Sequence, residues 1–349
     1  MTTLSAGHQA TISPATRPAW RRFVTPAAIV LVLVLGLALS LALGAVRIPL
    51  ADVVATLTGS GEGTSERIIM SARLPRALVA LLAGANLAVA GVLLQGVTRN
   101  PLADPGIIGV TAGAGVSATI VLAAFPGAAH ALPLAAFLGA MASAVFVYAV
   151  SWTPGGAGKG GTSPVRMVLA GVAVNAILGA VIGVLITAFA DRIPAVMFWT
   201  AGSFNGRGWS HLWMVLPYSI VGLTIAFLLR SRVRILELGD DTASTMGISV
   251  ERTRLLAFAA AALLAGSAAS VAGLVGFVGL VVPHLVRLAM GSNRLIVPVS
   301  AFAGGALLLW ADLAARTVLA PSELPVGVVT GLVGGPYFIF LLYKSGWLR

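Results

Sequence analysis

The chain has 349 residues, of which 58% are hydrophobic and only 9% charged. A soluble domain carries about 25% charged residues, so this composition suits a bilayer and excludes an ordinary water-facing surface. With no cysteine, disulfides, thiol catalysis and cysteine metal sites are excluded as well.

The formal net charge of +11 raises the question of nucleic acid. The arginines, however, sit in short loops and at the ends of apolar runs, as expected of a membrane protein with its basic loops facing the cytoplasm. Nucleic acid is therefore not an expected partner, and lipid is. Strand-like alternation is absent, so a membrane β-barrel is not expected either.

Met1 to Trp20 is polar, and Arg17, Arg21 and Arg22 precede the first apolar run at 27–46. A run of ~20 residues exceeds a signal-peptide core of ~7–15. It predicts an uncleaved first span behind a cytoplasmic tail, 1–26. Nine further runs follow in a transmembrane domain, 27–349: 75–97, 105–125, 131–151, 166–190, 212–230, 255–273, 275–291, 295–314 and 326–343. Each approaches the ~20 apolar residues that a membrane helix needs. The expected fold is all-α and polytopic, with about ten spans.

If the N-terminus lies inside and each span crosses once, 15 of the 22 Lys and Arg residues fall on the cytoplasmic side. That bias predicts a multi-pass protein of the bacterial cytoplasmic membrane with both termini inside. Arg73, Arg76 and Arg316 then fall outside, and the segment 235–254 falls inside.

The segment 153-TPGGAGKGGTS-163 imitates a phosphate loop, but Lys159 is followed by Gly160 and no strand precedes it. It reads as a flexible cytoplasmic linker, so this chain is expected to hold no ATP site. The segment 235-ILELGDDTASTMGISVERTR-254 is charged and compact. Asp240 or Asp241 is expected to cap a short helix that Gly247 stops.

An internal match joins 80-ALLAGANLAVAG-91 to 262-ALLAGSAASVAG-273, five spans apart. Matched segments running in opposite directions predict an inverted repeat, a build that serves alternating access. Among the glycines, Gly84 with Gly91, Gly109 with Gly113, and Gly273 with Gly276 are expected at close helix contacts.

Asn86, Gln95 and Asn175 are expected to bond between helices, His284 to be structural, and Asp312 to pair with Arg316 along one helix face. Intramembrane carboxylates, which would mark an ion relay, are nearly absent. Energy should come from outside the membrane core. No catalytic residue, metal ligand or cofactor is expected in this chain.

Four segments together resemble the FecCD-type permeases, the membrane subunits of ATP-binding-cassette (ABC) importers for iron-siderophore complexes, haem and vitamin B12. They are 73-RLPRALVALLAGANLAVAGVLLQGVTRNPLADPGIIGVTAGAG-115, 238-LGDDTASTMGI-248, 273-GLVGFVGLVVPHLVR-287, and 311-ADLAAR-316 with 323-ELPVGVVTGLVGGPYF-338.

The resemblance implies an alternating-access permease for an iron-siderophore or related chelate. Haem or vitamin B12 is the nearest alternative, then a manganese or zinc permease, then an ion-coupled carrier. It implies a second permease subunit, identical or related, and a cytoplasmic ATPase that binds ATP and Mg. It also implies an extracytoplasmic binding protein. On the family pattern, Leu238, Gly239, Asp240, Ala243, Met246 and Gly247 would couple to the ATPase. Arg73, Arg76 and Arg316 would receive carboxylates of the binding protein.

Overall fold

The computed structural model describes residues 21–154, 161–291 and 294–344. Among them the chain forms α1 (Arg21–Ala42), α2 (Leu50–Leu57) and α3 (Gly63–Ile68). A π turn at Ile69–Arg73 runs directly into α4 (Leu74–Thr98). Next come α5 (Val110–Ala124), a 3₁₀ turn, α6 (Leu132–Ser151), strands β1 (Trp152–Thr153) and β2 (Gly161–Thr162), and α7 (Pro164–Ala188). The rest comprises α8 (Ile193–Thr200), α9 (Trp209–Leu236), α10 (Asp240–Thr245), α11 (Val250–Ala272), α12 (Val278–Met290), α13 (Ile296–Thr317) and α14 (Val326–Lys344).

Each of the ten apolar runs has its own helix. Seven spans are long and apolar enough to cross a membrane, and the three shorter apolar helices lie at Val110–Ala124, Val278–Met290 and Val326–Leu341. The first helix starts at Arg21, inside the stretch expected to be tail; residues 1–20 lie outside the described residues. Most of the expected linker, residues 155–160, lies outside them too. Its ends are pinned, since Trp152 pairs with Thr162 and Thr153 with Gly161 in a short antiparallel ladder.

The two matched segments lie in α4 and α11, which run antiparallel and pack against each other at the bundle axis. Asn86 donates to Ser267 Oγ at 3.0 Å and to Ser219 Oγ at 2.6 Å, tying α4 to α11 and α9 at mid-bundle. The match is not perfect in structure: α4 continues through Gly91, whereas α11 stops at Gly273.

Small residues set the spacing around α4. A Cβ at Gly84 would overlap the Gly304 carbonyl of α13, and one at Gly91 would overlap the Gly279 carbonyl of α12. Gly113 meets the Gly139 carbonyl in the same way, joining α5 to α6. Gly273 abuts the Trp199 carbonyl, so it too sits at a close contact. Gly109, the residue before α5, also sits at a close contact: a Cβ there would lie 3.2 Å from Ser143 Oγ, and its carbonyl accepts a 2.7 Å hydrogen bond from Ser143. One glycine expectation needs correction: nothing among the described residues lies within 4 Å of a Cβ at Gly276.

The runs at 105–125 and 275–291 give short helices because backbone enters the bundle unwound. Ala103, Pro105, Ile108 and Gly109 are buried. A bilayer offers no water to this backbone, so side chains must satisfy it. Gln95 donates to Ala103 O at 3.3 Å and to Gly279 O at 3.1 Å, and Asn175 to Gly106 O at 2.8 Å and Ile107 O at 3.1 Å. His284 packs edge-on to Tyr337.

In the same loop, Asp104 accepts the Gly106 N–H at 2.8 Å. Gly84→Val, which overpacks the α4–α13 contact, is expected to cost about 1–3 kcal/mol and lower the melting temperature. Gly276→Ala, in open space, is expected to leave it unchanged.

Candidate functional site

Helices alternate in direction, so the bundle has two ends. One carries residues 99–109, 152–154, 161–163 and 237–249 and is called here the Asp240 end. The other carries residues 43–73, 189–208 and 318–325 and is the Arg76 end.

At the Asp240 end, α10 stands clear of the bundle as a knob. Gly239 precedes it with φ +116°, and Gly247 follows it with φ +78°. Both angles favour glycine, because a Cβ is strained there. Ile248 N–H bonds to Ala243 O and Gly247 N–H to Ser244 O, each at 3.0 Å, the paired bonds of an αL helix stop. Gly247 therefore ends the helix as expected.

The start of α10 differs from expectation. Neither aspartate caps it; Gly239 is the N-cap, and Asp240 already lies in the first turn. Its carboxylate is committed elsewhere. Arg254 reaches it at 2.8 and 3.0 Å, and Arg99 at 3.4 Å.

Arg254 is buried, and it also donates to Thr162 O at 2.5 Å and pairs with Glu251 at 3.3 Å. Glu251 in turn accepts from Tyr148 Oη at 2.6 Å and from the Thr162 N–H and hydroxyl at 3.0 Å each. One hub thus joins the knob to the ends of α4, α6 and α11 and to β2. Sequence reasoning missed Arg99, Tyr148, Thr162, Glu251 and Arg254; only the charge density of 235–254 hinted at the last two.

The knob's outer surface is apolar where it is least covered. Leu238 is 65% exposed and Met246 57%, while Ala243 is buried beneath them. Five of the six expected coupling residues thus lie on or beside an exposed knob, and Ala243 is the one that seats it.

At the Arg76 end the three arginines come together, but not as free guanidinium groups. The last carbonyls of α1 explain two of them. Leu39 O and Ala42 O receive backbone N–H groups from Leu43 and Ile48. Ser40 O receives Arg316 Nη2 at 2.8 Å, and Leu41 O receives Arg73 Nη1 at 2.6 Å. Arg73 also donates to Val46 O.

A helix end leaves four carbonyls without partners, and cations are favoured beside them. Arg76 holds Asp312 at 2.8 Å and Glu323 at 3.1 Å, and Arg316 lies 3.5 Å from Asp312, the pair expected along one helix face. The expectation of three open docking cations is corrected accordingly. Arg73 and Arg316 are buried, with their donors turned inward. Only the Arg76–Glu323 pair keeps a partly exposed member.

No group of three or more His, Asp or Glu side chains that would hold a metal occurs among the described residues.

Residues 31–344 match the model of the FecCD transport family. The chain belongs to the FecCD family. Among similar proteins, the iron(3+)-hydroxamate import system permease protein FhuG of Bacillus subtilis (strain 168) is 36% identical, over 87% of this chain and 91% of its own length. The cobalamin import system permease protein BtuC of Halobacterium salinarum is 39% identical, over 80% of this chain and 74% of its own. The hemin transport system permease protein HmuU of Yersinia pestis is 38% identical, over 80% and 84%. A solved structure described as an inward-facing, metal-chelate type ABC transporter superposes with a TM-score of 0.79 at 28% identity. It covers 91% of this chain and 98% of that one. As a family member, this chain is a permease subunit of an ABC importer, a transport component rather than an enzyme.

The hub makes a specific prediction. Arg254→Met should leave the bundle folded, since α11 keeps its packing, but should detach the knob. Limited proteolysis within 237–249 is expected to speed up at least several-fold, with no matching drop in melting temperature.

Proposed function

We propose that this permease imports an iron-siderophore or related metal chelate, driven by a separate ATPase that grips α10. The observation that carries this reading is the knob itself: exposed Leu238 and Met246 on a helix rooted by Asp240 to Arg254 and Arg99. A rigid, partly apolar projection suits the reversible docking of a protein that pushes and pulls. The metal-chelate reading draws on the relatives, which are permeases of hydroxamate, cobalamin and hemin systems.

In this reading the Asp240 end faces the cytoplasm, and ATP and Mg are bound by the partner. The Arg76 end faces outward, toward a binding protein that delivers the chelate. Glu323 is its partly exposed carboxylate, and an incoming carboxylate would exchange with it on Arg76.

The second permease subunit, identical or related, has uncovered faces available to it. α7 is exposed over most of its length, and nothing lies within 4 Å of a Cβ at Gly179, Gly183, Gly331 or Gly335. Close packing of such small-xxx-small pairs drives helix association in lipid. The pathway then runs between the two subunits, lined by α7 and α14, and opens alternately to either side.

Leu238→Glu and Met246→Glu test the docking surface without touching the bundle. Each should leave membrane insertion and melting temperature intact while lowering substrate-stimulated ATP hydrolysis of the assembled transporter by about tenfold or more, as loss of an interface anchor does. Full activity in the double variant would refute the docking role.

A further inference from the structure

At the Arg76 end lies a cavity of ≈ 390 Å³ between α5, α8, the 201–208 loop and the end of α11. Ser203, Asn205, Arg207 and Trp199 supply its polar lining, and Phe198 is among its apolar walls. None of its lining residues is acidic.

Arg207 is part-buried and stands without a counter-charge: its Nε donates to Val271 O at 2.6 Å, and its Nη1 meets His211 Nε2 at 3.3 Å. Among the described residues it forms no ion pair, whereas Arg76, Arg254 and Arg316 all do. Burial pulls its guanidinium below the ordinary value. Trp199 is buried, and its indole N–H has no partner among the described residues. A donor removed from water and left without an acceptor, beside a guanidinium with no counter-charge, is costly to keep, and an incoming anion offsets that cost.

The loop that lines the cavity is also tied to one of the uncovered helices. Val326 N–H at the start of α14 bonds to Gly202 O, and Ser203 N–H bonds to Ala272 O, each at 2.8 Å. The loop bearing Arg207 is thereby fixed beside the helix that would line the pathway.

We propose that this cavity receives an oxyanion of the cargo, such as a carboxylate of the chelate, at the pathway's entrance. The inference rests on the importer reading for its cargo, and it adds a preference for anionic chelates over neutral ones. A guanidinium fork suits a carboxylate in two-point contact. A lining with no carboxylate rejects free metal cations.

The test uses the full-length permease in phosphatidylcholine nanodiscs, titrated with citrate at constant ionic strength. Citrate is expected to raise the melting temperature of wild type and of Arg67→Gln, whose arginine is exposed elsewhere. Arg207→Gln should weaken the apparent citrate affinity by about tenfold or more. Arg207→Lys, which keeps the charge and loses the fork, should fall between the two. Equal citrate responses in wild type and both Arg207 variants would overturn the assignment. So would stabilisation by phosphatidylglycerol alone, which would make the cavity a lipid head-group site.

In the assembled transporter, Arg207→Gln should raise the KM for ferric citrate while leaving uptake of a neutral ferric trihydroxamate unchanged. If wild type imports no iron chelate yet keeps its Arg207-dependent citrate response, the importer reading fails and the anion site stands.

Discussion

Everything in this bundle answers to one constraint: in lipid, a backbone N–H or C=O without a partner costs several kcal/mol. Regular helix meets it for most of the chain. The informative places are those where helix stops. At the end of α1, four terminal carbonyls receive four donors, two from backbone and two from Arg73 and Arg316. At residues 99–109 the backbone unwinds inside the bundle, and Gln95, Asn175 and Ser143 take over its carbonyls. The polar side chains of this apolar protein are thus largely placed by where its helices end.

A second consequence is a division between a rigid axis and a looser rim. α4 and α11 are buried on nearly all faces, and glycines bring α4 against α12 and α13 with no room for a methyl group. Contacts that close have two states, formed or broken, and do not deform gradually. α7 lacks such contacts over its second half. In the proposed alternating-access reading, movement is easiest at the rim helices, with the α4–α11 axis moving as one body.

Much of this was legible in the sequence, because apolar length alone identifies a helix that must cross a bilayer. All ten runs became helices, with bounds that differ from the expected ones by up to six residues, as at the start of α1 (Arg21) and the end of α9 (Leu236). The stop at Gly247 was legible from glycine chemistry. Short helices outside the apolar runs were not: α2, α3 and α8 have too few residues to show a period. Long-range partners were not legible either. Asp240 looks like a helix cap in sequence, yet Arg254, fourteen residues on, outcompetes the backbone for its carboxylate. Arg73 and Arg316 look like docking cations, because the sequence does not reveal that the end of α1 lies between them. Arg207 drew no attention, since an arginine in a loop is unremarkable until its surroundings prove to lack an acid.

The hub around Arg254 gives a physical route from the knob to the membrane. A force on α10 reaches Asp240, which is shared between Arg254 on α11 and Arg99 at the end of α4. Those two helices form the buried axis of the bundle. Glu251 adds α6 through Tyr148 and β2 through Thr162, which leads directly into α7. The bonds are charge-assisted and converge on a buried guanidinium, where loss of one partner leaves an uncompensated charge. In the proposed reading, this junction links a motor on one side of the membrane to the gate within it.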